Sequence, residues 1–321
     1  MNQKTISFIV PALNEEEHIG GVIDSIKENC DKHYTYEIII VDNGSIDRTR
    51  DIAKSKSSRV FCKPDVSIST LRNAGVAKAQ GEIIVFIDAD VYLKDTWGKK
   101  VDSVLKWLEN NPMTITGSTY GLRDNPRWVE RYWYEPVLHR EEINYINGGH
   151  LITTKRLFEN VGGFNENLET GEDADFCYRA KRIGAKIINN PELEVIHEGY
   201  PKTVMNFFQR ERWHGRGDYG SLKSIFSSKP AILSLAQFGV ILISLVWAII
   251  HVNPMPLFIY ISFIGILCGV SAIFRCGGIN LFVPGCIFLY VFYFFARSVA
   301  FFDVIFGKPS KYNIAKKVTL L

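Results

Sequence analysis

At 321 residues the chain has room for one large domain or two small ones with ample core. A formal net charge of +3 and a charged fraction of 22% exclude the strongly basic profile of a nucleic-acid binder. The cysteines (Cys30, Cys62, Cys177, Cys268, Cys276 and Cys286) have neither CxxC nor zinc spacing, so they read as reduced thiols filling core and membrane positions.

The first elements alternate strand and helix. Residues 6–10 form an apolar strand closed by Pro11, and residues 5–10 are too short for a secretory leader, so this domain is expected on the cytosolic side. Asn14 and the acids at 15–17 open a helix with Ile19, Val22, Ile23 and Ile26 on one face. A strand over 37–41 ends in Asp42-Asn43-Gly44-Ser45. A helix over 47–56, a short strand over 59–62 and a helix over 70–79 follow. Ile83–Ile87 is apolar and largely β-branched, the pattern of a strand buried on both faces, and it delivers Asp88 and Asp90 at its end. Two acids so close repel unless a cation or a bound hydroxyl compensates. On this stretch alone an acidic turn fits as well. The alternation predicts parallel βαβ units in a doubly wound α/β sheet, whose ligands bind beyond the carboxyl ends of the strands. No G-x-G-x-x-G follows the first strand and no G-x-x-x-x-G-K-[ST] occurs, which counts against dinucleotide oxidoreductases and P-loop NTPases.

Four segments then carry a family resemblance: Val10-Pro11-Ala12-Leu13-Asn14-Glu15, Val41-Asp42-Asn43-Gly44-Ser45-Ile46-Asp47, Arg72-Asn73-Ala74-Gly75 and Phe86-Ile87-Asp88-Ala89-Asp90. In that order they resemble the nucleotide-sugar half of the inverting family 2 glycosyltransferases, which have the GT-A fold. The resemblance covers about the first two thirds of the chain. It implies that Asp42 accepts from the nucleotide base, with Pro11, Ala12 and Glu15 lining the same pocket. It also implies that Arg72 lies near base and diphosphate, that Asp88 faces the ribose, and that Asp90 ligates a divalent cation, Mn2+ or Mg2+. Such ions take one or two carboxylates plus substrate phosphates. Taken singly, Asp42 reads equally as a cap or turn residue and Arg72 as a solvated helix residue.

Beyond residue 112 the alternation loosens. Residues 113–119 are a further strand, and 125–142, with Trp128, Tyr132, Trp133 and Tyr134, are expected as a helix or lid beside the site, their aromatics more core than sugar platform. Asn147-Gly148-Gly149-His150 is a tight turn into a strand, and the resemblance brings Gly148 and Gly149 against the sugar phosphate. Gly171-Glu172-Asp173-Ala174-Asp175 resembles the family's acidic motif at a helix start. It implies Asp173 as the base that deprotonates the acceptor hydroxyl and Glu172 as the group holding acceptor or loop. Helix capping accounts for the same acids, Asp175 above all. Phe176, Ala180 and Ile183 mark the buried face of that helix. By resemblance His197 reaches the metal or diphosphate, while a lone histidine is more often structural. Gln209-Arg210-Glu211-Arg212-Trp213 matches the Q-x-x-R-W of processive polysaccharide synthases, which implies Gln209, Arg212 and Trp213 near acceptor and diphosphate. It lies on a basic amphipathic segment, 203–226, of the kind that rests on anionic headgroups.

From Ala231 onward apolar runs dominate: 231–251, 254–274 and 279–306 are each long enough to span a bilayer. Gly265 and Gly269 make a small-xxx-small pair. Lys223, Lys229 and Arg275 put the first domain inside by the positive-inside rule. Three full spans would leave Lys308, Lys311, Lys316 and Lys317 outside, against that rule. Arg297 and Asp303 interrupt the last run, so 296–306 is expected to be interfacial or re-entrant. The whole reads as a cytosolic GT-A domain over 1–229, divided into a nucleotide-sugar half (1–112) and an acceptor half (113–229). Membrane helices over 230–306 and a basic tail over 307–321 complete it. The expected activity is inverting, metal-dependent transfer from a nucleotide-diphosphate sugar, UDP-linked by preference, to a lipid-linked or glycan acceptor in cell-envelope or exopolysaccharide synthesis at the plasma membrane. A processive synthase and a non-catalytic nucleotide-sugar-binding module are the alternatives.

Overall fold

Strands β1 (Thr5–Ala12), β2 (Thr35–Asp42), β3 (Arg59–Cys62) and β4 (Ile83–Ile87) pair in parallel in the order β3-β2-β1-β4. The computed structural model describes residues 5–30, 35–56, 58–138, 144–168 and 170–307, with Lys223 by its backbone only. Every residue of β4 is buried, because helices cover both faces of the sheet and leave no place for a polar side chain. The crossovers are α1 (Ile19–Cys30), α2 (Thr49–Ser55) and α3 (Ile68–Lys78). Ile19, Val22, Ile23 and Ile26 of α1 are fully buried, each worth about 1.5–3 kcal/mol of transfer from water. α3 starts at Ser67, whose Oγ accepts from the Thr70 amide.

After β5 (Val91–Leu93), α4 (Trp97–Asn110), β6 (Thr114–Gly117) and α5 (Trp128–Tyr134) come β7 (His150–Thr154), α6 (Lys155–Val161), α7 (Glu172–Arg182), β8 (Lys186–Asn189) and β9 (Val195–His197). The main sheet is seven-stranded, β3-β2-β1-β4-β7-β6-β8; β7 runs antiparallel to both neighbours, and β5 pairs with β9 in a second small sheet. The doubly wound sheet is therefore mixed, though mainly parallel. Because β7 reverses against β4, with His150 opposite Ile87, the turn that enters β7 lies at the end where β4 releases Asp88.

The chain divides into two compact units, Met1–Asp124 with Arg140–Gly199, and Asn125–His139 with Tyr200–Leu321. The second contains α5, α8 (Val204–Asp218), α9 (Leu222–Ser227), α10 (Lys229–Ile250), α11 (Met255–Cys276) and α12 (Val283–Ile305). The last three are long and apolar enough to cross a membrane. Several local expectations change. The amphipathic 203–226 segment is two helices broken around Gly220. Ile183 is 46% exposed, so Phe176 and Ala180 alone of that trio reach the core. A Cβ at Gly265 or Gly269 would meet nothing within 4 Å, so among the described residues the glycine pair packs against no neighbouring helix. Residues 296–305 continue α12 without a re-entrant break. In the aromatic segment a helix of 7 residues and one 3-10 turn are described, with Trp133 buried among Phe207, Tyr290 and Tyr293 of the second unit. Residues 139–142 of that segment and the basic tail at 308–321 lie outside the described residues.

Candidate active site

Parallel pairing aligns the carboxyl ends of β1, β2 and β4 along one edge, and most of the acids singled out in the sequence sit there. Ala12 is in register with Asp42, and the Asn43 amide donates to the Ala12 carbonyl at 2.8 Å. Asp42 is fully buried; its Oδ2 accepts from the Gly44 and Ser45 amides at 2.9 and 3.0 Å. It therefore closes the turn after β2 and does not cap α2, whose N-cap is Arg48. Gly44 has φ +87°, open to glycine at no steric cost. Asp42 Oδ1 has no hydrogen-bond partner. A buried acceptor left so costs about 1–3 kcal/mol, which a ligand N–H would relieve. Pro11 and Ala12 are buried beside it, and the half-buried Glu15 is fixed through its amide to Thr49 Oγ1 at 2.8 Å.

The densest cluster surrounds Arg72, which is buried and not solvated. Its Nη2 donates to Asp88 Oδ1 at 2.8 Å and its Nη1 to Glu172 Oε1 at 2.6 Å. Burial opposes the guanidinium's charge, but Asp88 and Glu172 more than offset it and hold its pKa above the ordinary value. The turn into β7 locks onto the same groups. The Gly148 amide donates to Asp173 Oδ2 at 3.1 Å, the Gly149 amide to the Tyr120 hydroxyl at 2.9 Å, and the Asp88 amide to the Gly149 carbonyl at 3.2 Å. Neither glycine tolerates a side chain. A Cβ at Gly148 would lie 2.6 Å from Arg72 Nη1, and one at Gly149 would overlap the Asp88 carboxylate and the Tyr120 hydroxyl.

Asp173 lies in the first turn of α7, where Oδ1 accepts from the Ala174 amide at 2.8 Å. Burial pushes its pKa up, and the neighbouring Glu172 adds to the rise; the Gly148 amide, Arg72 and the Ala174 amide pull the other way without cancelling it. A carboxylate raised toward neutrality is a better proton acceptor than an ordinary aspartate. Asp175 instead pairs with Arg179 one turn on, at 2.8 Å. His150, next to Gly149, is fully buried between Trp97 and Ser118, and burial lowers its pKa to about 3. It is a neutral core residue.

A second pair lies one residue further along. The β5–β9 ladder sets Val91 opposite His197, which brings His197 Nε2 within 3.5 Å of Asp90 Oδ1. The Glu198 amide donates to the Asp90 carbonyl at 2.9 Å, and a Cβ at Gly199 would overlap the Asp90 carboxylate. Among the described residues no group of three or more His, Cys, Asp or Glu side chains is positioned to hold a metal. One carboxylate and one imidazole fit a Mn2+ or Mg2+ ion that completes its shell with phosphate oxygens and water. Sequence reasoning passed over two contributors. Tyr120 stacks on His197 at 5.0 Å between ring centroids and accepts from Gly149, and Gly199 leaves room beside Asp90. Their signal was faint: a tyrosine three residues past a short strand, and a glycine two past a histidine.

Gln209, Arg212 and Trp213 belong to the second unit. They lie on α8, where Gln209 is exposed and Trp213 half-buried. Arg212 is engaged in a two-pronged pair with Asp303 of α12 at 2.5 and 2.7 Å.

A mainly parallel sheet covered by helices on both faces is the arrangement of the GT-A fold. The family model for glycosyl transferase family 2 matches residues 7–162, and that for glycosyl transferase family group 2 matches 144–301. The chain belongs to glycosyltransferase family 2. The mannosyltransferase PcManGT from Pyrobaculum calidifontis, solved with GDP-Man and Mn2+, superposes over 96% of this chain and 89% of its own at a TM-score of 0.60 and 19% identity. That is a likeness of fold. Glycosyltransferase AglE of Haloferax volcanii is 26% identical over 61% of this chain and 67% of its own length. The succinoglycan biosynthesis protein ExoA of Rhizobium meliloti is 24% identical over 75% and 78% respectively. The chain spans about half the length of other curated relatives it matches.

Proposed function

We propose that this chain is a membrane-anchored, metal-dependent, inverting glycosyltransferase. It moves a sugar from a nucleoside diphosphate, UDP by preference, to a lipid-linked or glycan acceptor, with residues 1–229 working on the cytosolic face of the plasma membrane. The observation that carries this reading is the convergence of Arg72, Asp88, Glu172 and Asp173 on the turn at Gly148 and Gly149, in a chain of the glycosyltransferase class. The nucleotide base would take the vacant acceptor at Asp42 Oδ1, beside Pro11, Ala12 and Glu15, with Asp88 toward the ribose. The glycine turn lets the backbone approach the sugar phosphate closely. Asp90 and His197 would hold Mn2+ or Mg2+, which supplies Lewis-acid compensation for charge on the departing diphosphate.

Asp173 takes the proton of the acceptor hydroxyl as that oxygen forms its bond to the anomeric carbon. The bond from that carbon to the diphosphate breaks, the electron pair leaves with the nucleoside diphosphate, and one displacement inverts the anomeric centre. Glu172, fixed by Arg72, adds to the proton affinity of the neighbouring Asp173 and would hold the acceptor or the loop in place. The reading is tested on purified full-length protein with Mn2+. Calorimetric binding of UDP and slow hydrolysis of a UDP-sugar are expected. An absence of both binding and turnover with UDP- and GDP-sugars would sink it, and product length, one addition or a ladder, separates single transfer from processive synthesis.

A further inference from the structure

By length and composition α12 is a third span, yet its contacts within the second unit point elsewhere. Residues 251–254 alone join α10 to α11, so the two form a hairpin. Its feet, the first turns of α10 and the last turns of α11, lie on one side of the bilayer. α12 touches both feet. Toward its C-terminal end Ser298 Oγ lies 2.9 Å from the Ser234 carbonyl oxygen and 3.2 Å from Gln237 Oε1, Ala300 packs with Ala231, and Phe302 meets Phe238 at 5.0 Å between centroids. At its start Val283 and Cys286 pack with Ala272, and Cys286 Sγ lies 3.5 Å from Cys276 Sγ. An α-helix advances about 1.5 Å per residue against an apolar bilayer thickness of roughly 30 Å. Only Asp303, Val304 and Ile305 follow Phe302, about 5 Å of helix, so α12 cannot reach the far face.

Its other neighbours agree. α5 lies against its first half, through Trp128 on Phe288 and Trp133 on Tyr290 and Tyr293. α8 lies against its second half, where Arg297 bonds Glu211 and Asp218 at 3.0 and 2.6 Å and Asp303 bonds Arg212. Helices carrying Arg131 at 62% side-chain exposure, with Glu211, Arg212 and Asp218 alongside, do not belong in hydrocarbon. What α12 leaves outward is apolar, including Phe288, Ile305 and Phe306, and tyrosines favour the headgroup level.

We propose that α12 lies along the headgroup interface on the side from which α10 departs, presenting its free apolar face to lipid, so that the chain crosses the bilayer twice. α8, with Gln209, Arg212 and Trp213, is thereby held at the headgroup plane. The end of α12 then stays on the side of Lys229 and Arg275, the side to which the positive-inside rule assigns those two residues.

The test is cysteine accessibility in full-length protein in cell membranes, with the exposed native thiol removed by Cys62→Ser. Leu222→Cys (α9), Val252→Cys (the hairpin tip) and Phe306→Cys (the end of α12) are each probed with an impermeant maleimide from either side. Phe306→Cys should label from the same side as Leu222→Cys and opposite to Val252→Cys. Labelling of Phe306→Cys together with Val252→Cys would overturn the proposal. A reporter fused after Leu321 gives a second reading of the same end, should the cysteine variant express poorly. Neither readout depends on transferase activity, so failure here leaves the proposed reaction standing, and failure of that reaction leaves two crossings standing.

Discussion

Each unit of this protein contains a buried arginine gripped by two carboxylates. Arg72 joins Asp88 to Glu172, and Arg297 joins Glu211 to Asp218. As ion pairs the two are nearly interchangeable, so a buried triad alone does not mark a site. Their surroundings differ. Around Arg297 both partners are side chains of the single helix α8 packed on α12, with Tyr293 beneath the guanidinium at 5.0 Å. Around Arg72 the partners come from a strand end and a helix start, a turn without side chains presses on the guanidinium, and a third acid with a raised pKa stands alongside. The first arrangement clamps α8 to α12. The second sets a carboxylate of raised pKa beside a glycine turn, the arrangement on which the proposed base rests.

Four experiments break or sharpen that contrast. The largest effect on turnover is expected from Asp173→Asn, which keeps the side-chain shape and removes the base: a loss of about 10²–10⁴-fold in kcat with UDP affinity retained. Unchanged turnover would move the base elsewhere. Arg297→Ala should instead be a stability lesion of about 3–5 kcal/mol, because it strands Glu211 and Asp218 together. Thermal unfolding of detergent-solubilised protein measures it, and Glu211→Gln added to the variant should recover part of the loss. Asp90→Ala should abolish the Mn2+-dependent part of donor binding in calorimetry while leaving metal-free UDP binding in place. Loss of the acceptor step alone would contradict its assignment.

The smallest effect is on the pH profile. A base must be ionised, so activity is present above the folded pKa of Asp173 and lost as pH falls through it. Since burial and Glu172 raise that pKa, the acid limb of kcat/KM should lie above the 3.8 of an ordinary aspartate. Removing one raising charge with Glu172→Gln should move the limb to lower pH. Movement upward would show that the Arg72 pair governs Asp173 more than its neighbour does.

The elements of the sheet were largely legible in the chain. β1, β2 and β4 each hold an apolar run (residues 8–10, 38–41 and 83–87) because they are covered on both faces, and α1 carries its core face at helical spacing. The break near Gly220 and the exposure of Ile183 were not, since periodicity continues through both and tertiary neighbours alone decide burial. At the site the acids at 42, 88, 90 and 173 stand out by position. Tyr120 does not, because what singles it out is a ring stacked on His197, with 77 residues separating the two in the numbering (197 − 120).

The sequence alone determined the family, the alternation of strand and helix, and the presence of three long apolar helices, because motif order and hydropathy are properties of neighbouring residues. The tertiary structure decided what those residues meet. It turned Arg72 from a helix-surface residue into the hub of an acid cluster, and it spent Arg212 on Asp303. It also set the end of α12 beside the start of α10. Those outcomes rest on pairings between positions tens of residues apart, and the free energy of a buried charge depends on the partner it finds across that distance.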